Sequence, residues 1–237
     1  MERPLIIALD VENKKEAINL LEGLPNESLA LKVGMELFYK EGPGIIEAIK
    51  ERGHWIFLDL KLHDIPNTVK RAMKQLAELG VDLVNVHVAG GHAMMTAARE
   101  GLEAGKPAGV ASPLLIGVTQ LTSTDETMLH HELLIEKPLQ TVVESYAKLA
   151  QSAGLNGVVC SAQEVPLIHE ICGKGFLTVT PGIRQVQDDL GDQVRVVTPE
   201  KARTLGSWGI VVGRSITAAK DPFAAYQAIQ KAWEGKQ

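Results

Sequence analysis

Cysteine is scarce in this sequence, and so are the patterns that mark metal-binding, secreted and membrane proteins. The two cysteines, Cys160 and Cys172, belong to no CxxC pair or Cys/His cluster, and His54, His87 and His92 lack the spacing of metal ligands. Two lone thiols are typical of a protein in the reducing cytosol, where a disulfide is not expected. The apolar run in MERPLIIALD is too short for a signal peptide or a membrane span. These absences predict a soluble, cytoplasmic protein without a metal site.

Positive charge is also in short supply. The 237 residues include 24 Lys and Arg against 29 Asp and Glu, which gives a formal net charge of −5. Nucleic-acid binders usually carry a basic excess or a basic stripe, so the composition disfavours a nucleic-acid partner. A small anionic substrate is compatible with it, because a phosphate site needs only a few local cations and backbone amides.

Glycine-rich nucleotide-binding motifs are missing as well. The chain has no GxGxxG, no GxxxxGK and no low-complexity linker. Its first apolar run continues into DVENKKEA, and the next glycine along the chain is Gly23. An open, doubly wound sheet often has a glycine-rich turn at this place, so that architecture is disfavoured.

What the chain has instead is an alternation of short, β-branched apolar runs with amphipathic stretches of helical period. The predicted strands are residues 5–10, 29–34, 55–60, 83–88, 114–119, 157–161, 177–181 and 209–213. The predicted helices are residues 13–24, 43–52, 67–79, 93–103, 139–153, 163–171, 199–205 and 222–233. Eight strand–helix units in about 250 residues is the usual size of a closed barrel. We therefore predict an α/β fold, a (β/α)8 TIM barrel, with residues 1–237 as a single domain.

Charged residues fall at the ends of the first three predicted strands. Asp10 ends the first, Lys32 lies near the end of the second, and the third delivers Asp59 and Lys61, with Asp64 in the loop that follows. The carboxyl ends of the strands form the active-site mouth of a barrel. Because Asp59 and Lys61 are two residues apart, a regular strand would point them to the same side.

These charges also have structural explanations. Asp10 could cap the following helix, a role for which Asn13 competes, and Asp59 with Lys61 could be a plain ion pair. Lys32 is more informative, because a lysine within an apolar strand is rarely buried without a partner or a task. Charges that converge near an apolar core are costly unless they are paired. The cluster is therefore either a structural ion-pair network or a preorganised electrostatic site.

The end of the eighth predicted strand indicates a phosphate site. IVVGRSIT places Gly213 and Arg214 where the strand turns into a helix, and glycine allows the backbone to approach an anion closely. The long segment after the seventh strand, with Arg184 and Gln193, is a second candidate contributor. Barrels often hold a phosphate with the loops after strands seven and eight.

Taken together, these motifs resemble the orotidine 5′-phosphate decarboxylase family over essentially the whole chain. The motifs that carry the resemblance are ALD at Asp10, LKVG at Lys32, DLKLHDIPNT from Asp59, VTQLTS at Thr119 to Ser123, TPGIR ending at Arg184, GDQVR around Gln193, and VVGRSIT around Gly213 and Arg214. The D-x-K-x-x-D spacing alone is shared with related sugar-phosphate decarboxylases and aldolase-like synthases. DIPNT directly after it, together with the GIR and VGRSIT segments, is specific.

The resemblance implies a carboxy-lyase that converts orotidine 5′-phosphate to UMP and CO2 in de novo pyrimidine biosynthesis. It implies no metal or organic cofactor, and a homodimer whose subunits share active sites. The implied charge network consists of Lys32, Asp59, Lys61 and Asp64, with Lys61 as the proton donor. The implied binding residues are Asp10 and Lys32 for the ribose, Asp59 beside the substrate carboxylate, Thr122 for the pyrimidine, Arg184, Gln193, Gly213 and Arg214 for the phosphate, and Asp64, Ile65 and Thr68 from the neighbouring subunit.

Two alternatives stay open on the sequence. One is a related barrel enzyme that decarboxylates a ketose phosphate with Mg²⁺, which would stabilise an enediolate. The other is a non-catalytic nucleotide-binding barrel, in which the charge network serves structure alone.

Overall fold

The computed structural model describes residues 3–184 and 196–235. Eight parallel strands form a closed barrel in sequence order, and β8 pairs with β1 to complete the circle. The strands are β1 (Leu5–Ala8), β2 (Ala30–Gly34), β3 (Trp55–Leu62), β4 (Leu83–His87), β5 (Leu114–Val118), β6 (Gly157–Val159), β7 (Leu177–Thr180) and β8 (Gly209–Val212). The predicted (β/α)8 fold is confirmed.

Helices follow the strands around the outside of the barrel. They are α1 (Lys14–Glu22), α2 (Met35–Glu41), α3 (Pro43–Lys50), α4 (Pro66–Glu78), α5 (Gly91–Gly105), α6 (Glu126–His131), α7 (Leu139–Ser152), α8 (Val165–Cys172), α9 (Pro199–Leu205), α10 (Arg214–Thr217) and α11 (Pro222–Glu234). The eight predicted helices are found, α9 with the predicted bounds and the others with ends shifted by one or two residues. The short helices α2, α6 and α10, which have four to seven residues, were not predicted. None of the described helices is long and apolar enough to cross a membrane.

Alternation along the strands divides the core into two layers. Every second side chain points outward and packs under the helices, as Ile7, Leu31 and Leu58 do. The intervening side chains fill the barrel interior, namely Ile6, Ala8, Ala30, Phe57, Leu83, Ile116, Val179 and Val211. The next inward position on four of these strands is polar, and it is occupied by Asp10, Lys32, Asp59 and Asn85. An apolar floor therefore supports a polar mouth.

The segment after β3 is held by very close packing between α4 and α5. A Cβ added at Gly101 of α5 would overlap the backbone carbonyl of Lys70 in α4, and one at Gly105 would overlap the carbonyl of Lys74. Only glycine allows the two helix backbones to approach this closely. The start of α4, with Pro66 in its first turn, is fixed by this contact at the edge of the mouth.

Candidate active site

A cavity of about 680 Å³ opens at the carboxyl end of the barrel. Among the residues that line it are Asp10, Lys32, Asp59, Lys61, Thr122, Arg184, Gly213 and Arg214. Eight of the predicted site residues, contributed by the ends of six different strands and the loops after them, thus border one space. This is the place and size expected for a small-molecule site in a barrel.

Four charged side chains form a connected network on one wall of the cavity. Lys32 Nζ lies 2.9 Å from Asp10 Oδ1 and 3.7 Å from Asp59 Oδ2. On the other side of Asp59, Lys61 Nζ lies 2.7 Å from Oδ1. The order of charges is therefore acid, base, acid, base, from Asp10 to Lys61. The predicted convergence of Asp10, Lys32, Asp59 and Lys61 is observed.

Asp59 is the centre of this network and is almost completely buried, with 9% of its surface exposed. Burial disfavours the carboxylate and by itself raises the pKa of Asp59. The charges of Lys32 and Lys61 and hydrogen bonds from Lys61 and Asn85 outweigh burial, so the pKa lies below its usual value. Asp59 is therefore a carboxylate at neutral pH, fixed in place by partners on three strands.

The path of β3 at Lys61 differs from the regular strand assumed above. Leu58 pairs with Val84 and Leu62 with Val86, so four residue steps on β3 match two on β4. Within this bulge Lys61 adopts a positive φ of 51°, which is uncommon for a residue with a side chain. The proximity of Asp59 and Lys61 was predicted correctly, but simple alternation on a strand ending at residue 60 was the wrong reason. A bulge leaves no mark in the apolar pattern.

Asn85 is the site residue to which the sequence assigned no role. It is 1% exposed, and its Nδ2 donates a hydrogen bond of 2.6 Å to Asp59 Oδ1. Its Oδ1 accepts one of 2.8 Å from the backbone N–H of Lys61. The available signal was a polar residue two positions after the inward-facing Leu83, among apolar neighbours in LVNVH.

The two candidates for capping α1 are now distinguished. Asn13 is the N-cap, because its side chain accepts a hydrogen bond from the backbone N–H of Glu16. Asp10 instead accepts the hydrogen bond from Lys32. Gly34 leaves room for that pair, since a Cβ there would lie 3.1 Å from Lys32 Nζ.

Asp64, Ile65 and Thr68 lie away from the cavity lining in this chain. Asp64 is exposed and accepts a hydrogen bond of 2.6 Å from the backbone N–H of Ile65. Ile65 is 68% exposed. Asp64 and Ile65 lie between β3 and α4 and are exposed, and Thr68, in the first turn of α4, is partly exposed.

The predicted phosphate-binding residues Arg184, Gly213 and Arg214 follow β7 and β8 and border the same cavity. Arg184 is buried, and its Nη1 donates a hydrogen bond of 2.9 Å to the carbonyl of Ile183. Gly213 precedes α10, whose first residue is Arg214. Gln193 lies outside the described residues.

Two further residues, Cys160 and His87, lie near the site. Cys160 is buried in the core and also borders the cavity. His87 packs near His63 with ring centroids 5.7 Å apart. Burial, then His63 and Lys61, lower the pKa of His87, so this imidazole is neutral at pH 7. Within residues 3–184 and 196–235, no three His, Cys, Asp or Glu side chains are grouped to hold a metal ion.

Comparison with known proteins assigns the family. The model of the "Orotidine 5′-phosphate decarboxylase / HUMPS family" matches residues 3–229. The chain belongs to this family. The resemblance seen in the motifs is thereby confirmed over nearly the full length.

Within the family, the chain is similar to proteins named orotidine 5′-phosphate decarboxylase. The one from Halalkalibacterium halodurans is 69% identical over 235 residues, which is 99% of this chain and 100% of that protein. The one from Geobacillus thermodenitrificans is 61% identical over 99% of this chain and 98% of its own. The crystal structure of orotidine 5′-phosphate decarboxylase from Lactobacillus acidophilus superimposes with a TM-score of 0.89 at 45% identity, covering 98% and 99% of the two chains.

Proposed function

We propose that this protein is an orotidine 5′-phosphate decarboxylase, which forms UMP and CO2 in de novo pyrimidine biosynthesis. The observation that carries the proposal is the cavity itself, which the Asp10–Lys32–Asp59–Lys61 network borders together with Arg184 and Arg214. A substrate with a carboxylate at one end and a phosphate at the other matches this distribution of charge. The names of the full-length relatives support the same substrate.

The chemical step needs a cation beside the carbon that loses CO2. Breaking the bond from C6 of the pyrimidine to the carboxylate leaves an electron pair in an orbital within the ring plane, which the π-system cannot delocalise. We assign to the Lys61 ammonium the stabilisation of this pair and the transfer of one proton from Nζ to C6. UMP then carries hydrogen at C6, and Lys61 regains its proton from solvent.

Asp59 supports this step in two ways. Its carboxylate holds the Lys61 ammonium at 2.7 Å, which fixes the position of the proton that is transferred. We also place it beside the substrate carboxylate, where repulsion between like charges disappears when CO2 leaves. Lys32 lies near the other carboxylate oxygen of Asp59, with its Nζ 3.7 Å from Oδ2, and also balances the negative charge.

We assign the other polar residues of the mouth to binding. Asp10 and Lys32 are placed to bind ribose hydroxyls, and the backbone near Thr122 is placed to read the pyrimidine. Arg184, Gly213 and Arg214 would hold the phosphate together with Gln193. Binding energy from the phosphate can organise the site even though the phosphate is remote from C6.

We propose a homodimer in which Asp64, Ile65 and Thr68 enter the neighbouring subunit's site. The exposure of Asp64 and Ile65 leaves both side chains available for contact with a second copy. A smaller cavity of about 180 Å³, lined by Lys61, Asp59 and Met35 among others, gives space beside the network for such residues. We also propose that residues 1–237 form a single cytoplasmic domain.

A spectrophotometric assay tests the function. The purified protein is incubated with orotidine 5′-phosphate in EDTA, and the loss of orotate absorbance is followed together with UMP formation. We expect equal rates with EDTA and with added Mg²⁺, because the proposed reaction uses only protein groups. Absence of turnover despite tight UMP binding would support the alternative of a non-catalytic nucleotide-binding barrel. Turnover only of a ketose phosphate, abolished by EDTA, would support the Mg²⁺-dependent alternative.

A further inference from the structure

We propose that Asn85 is a positioning residue of this active site, which fixes the Asp59 carboxylate and the backbone of Lys61 relative to each other. The inference rests on the proposed decarboxylase function and goes beyond it, because Asn85 acts through these two residues and not by touching the substrate. Asn85 is absent from the residues that line the main cavity.

The position of Asn85 in the sheet explains why it reaches both partners. Leu83 and Asn85 are successive inward-facing residues of β4, and Leu83 belongs to the apolar floor. Asn85 therefore lies directly above that floor, beside β3 on one flank and paired with Ile116 of β5 on the other. It is 1% exposed, so its amide has no access to solvent as an alternative partner.

Both polar atoms of the Asn85 amide form hydrogen bonds, one as a donor and the other as an acceptor. Nδ2 donates to Asp59 Oδ1 at 2.6 Å, and Oδ1 accepts from the Lys61 backbone N–H at 2.8 Å. The ring closes because Lys61 Nζ also donates to Asp59 Oδ1 at 2.7 Å. Asparagine suits this position because its amide offers a donor and an acceptor side by side. An aspartate carboxylate of the same size lacks the donor, and leucine lacks both.

The bulge in β3 shows why the backbone of Lys61 needs a hydrogen-bond partner to keep its conformation. The register between β3 and β4 shifts between Leu58 and Leu62, and Lys61 has a φ of 51°. Residues with a side chain rarely adopt that backbone conformation, so it persists only where neighbouring groups impose it. Asn85 supplies the acceptor for the Lys61 N–H at this place. The hydrogen bond thus holds the backbone turn that aims the ammonium into the cavity.

Removal of the amide should misplace the proton donor without removing it. In Asn85→Ala the partly buried N–H of Lys61 loses its acceptor, and Asp59 loses one of its donors. The charged groups around the Asp59 carboxylate stay in place in this variant. Lys32 of β2 and Lys61 of β3 form salt bridges with it, His87 of β4 interacts with it electrostatically, and Asp10 pairs with Lys32. The ribose and phosphate residues are untouched, so binding of UMP should persist while the chemical step slows.

The experiment compares Asn85→Ala, the isosteric Asn85→Asp and a control, Asn156→Ala, with the wild type. Asn156 also accepts a backbone hydrogen bond with its side chain, 2.8 Å from Leu115 N, but does not border the cavity. Measurements are kcat and KM for orotidine 5′-phosphate, the Kd of UMP, the melting temperature, and kcat as a function of pH.

We expect Asn85→Ala to lower kcat by about 100-fold, with the Kd of UMP changed by less than about threefold, because misplacement of a reacting group slows chemistry more than binding. The acid limb of its kcat profile should move to higher pH, since Asp59 loses a hydrogen bond that favours the ionised form. Asn85→Asp keeps the acceptor but puts a second carboxylate beside Asp59. The acid limb of the kcat profile of this variant should therefore move to a still higher pH than that of Asn85→Ala. Asn156→Ala should keep wild-type kcat even if it melts earlier.

Normal kcat and an unshifted pH profile in both Asn85 variants, beside an active wild type, would overturn the role of Asn85 alone. A parallel loss in Asn156→Ala would also overturn it, because the effect would then be one of general stability. If Asn85→Ala does not fold, the isosteric Asn85→Asp decides by the same measurements. No turnover by the wild type would contradict the proposed function itself, and this inference with it.

Discussion

The chemistry of this site depends on how individual charged residues are held at the boundary between an apolar floor and an open mouth. Asp59 is the residue under the strongest constraint, because it is nearly buried and contacts Lys32, Lys61 and Asn85. A buried carboxylate with such partners is stabilising when ionised and costly when protonated. The electrostatic site thus also has a structural consequence that can be measured.

The lowered pKa of Asp59 predicts a dependence of stability on pH. A carboxyl group whose pKa is lower in the folded than in the unfolded state stabilises the protein above the unfolded value, near pH 4, and loses this contribution as the pH falls through the folded value. The free energy of unfolding of the wild type should therefore fall on acidification below about pH 4. Denaturant titrations at several pH values check this.

Asp59→Asn is the control for the acid effect, because it keeps the shape of the side chain and cannot ionise. Its stability should be lower at neutral pH, where Lys61 loses its carboxylate partner and Lys32 keeps only Asp10, and should fall less steeply in acid. Parallel pH curves for the two proteins would show that other carboxyl groups are responsible.

Arg214 should contribute to binding only when the ligand carries a phosphate. Arg214→Ala should weaken UMP binding by about 10- to 100-fold, the range expected for a lost hydrogen bond to a charged group, and leave uridine binding unchanged. The matched control is Lys174→Ala, which removes an exposed cation. Lys174 lies just before β7 and therefore at the other end of the barrel. Titration calorimetry with both ligands measures the effect. Equal weakening of uridine and UMP would remove Arg214 from the phosphate site.

At the scale of elements, the mouth depends on the packing that holds the segment between β3 and α4. The close contact of α4 with α5 requires glycine at Gly101 and Gly105, where a Cβ would overlap backbone atoms of α4. Backbone atoms cannot move aside as a flexible side chain can. The contact therefore fixes where α4 begins, and with it the positions of Asp64, Ile65 and Thr68.

Gly101→Ala should destabilise the protein by about 1–3 kcal/mol, the usual cost of overpacking a tight contact. Gly44→Ala in α3 is the matched control, because a Cβ there meets no atom within 4 Å. Alanine is a better helix former than glycine, so this control should be neutral or stabilising by up to about 1 kcal/mol. Chemical denaturation measures both. A Gly101→Ala protein as stable as the wild type would show that the two helices can separate without cost.

The sequence predicted the elements of this barrel better than the local path of its backbone. All eight strands and their principal helices follow from apolar periodicity, which each element needs in order to bury one face. The bulge at Lys61 and the role of Asn85 do not, because both arise from the pairing of β3 with β4, residues far apart along the chain. Site residues at strand ends, such as Asp10, Lys32 and Asp59, were predictable since alternation extends the inward row into the mouth.

At the level of the whole molecule, Lys32, Asp59 and Lys61 of the described chain form one network, whereas Asp64 accepts a hydrogen bond from the backbone of Ile65. A second copy that delivers Asp64 would complete the alternating set of charges. The proposal therefore makes activity a property of the dimer, and this can be tested with variants that are inactive alone.

Mixing Lys61→Ala with Asp64→Ala should restore activity if Asp64 acts across the interface. One site of each hybrid dimer then carries both defects and the other carries none. Random exchange makes half of the dimers hybrid, so the recovered activity should approach about a quarter of the wild-type value. Activity assays before and after subunit exchange measure it. A mixture no more active than its components would place Asp64 in its own subunit's site, or outside the mechanism.

We assign to the Lys61 ammonium both the stabilisation of the electron pair at C6 and its protonation. The decisive measurement is kcat for orotidine 5′-phosphate in Lys61→Ala, compared with the wild type after a melting curve has shown that the variant is folded. We expect kcat to fall by about a thousandfold or more, because the variant loses both the charge and the acid. A folded Lys61→Ala protein whose kcat stays within about tenfold of the wild-type value would rule out this role for Lys61, since that loss is smaller than either contribution alone.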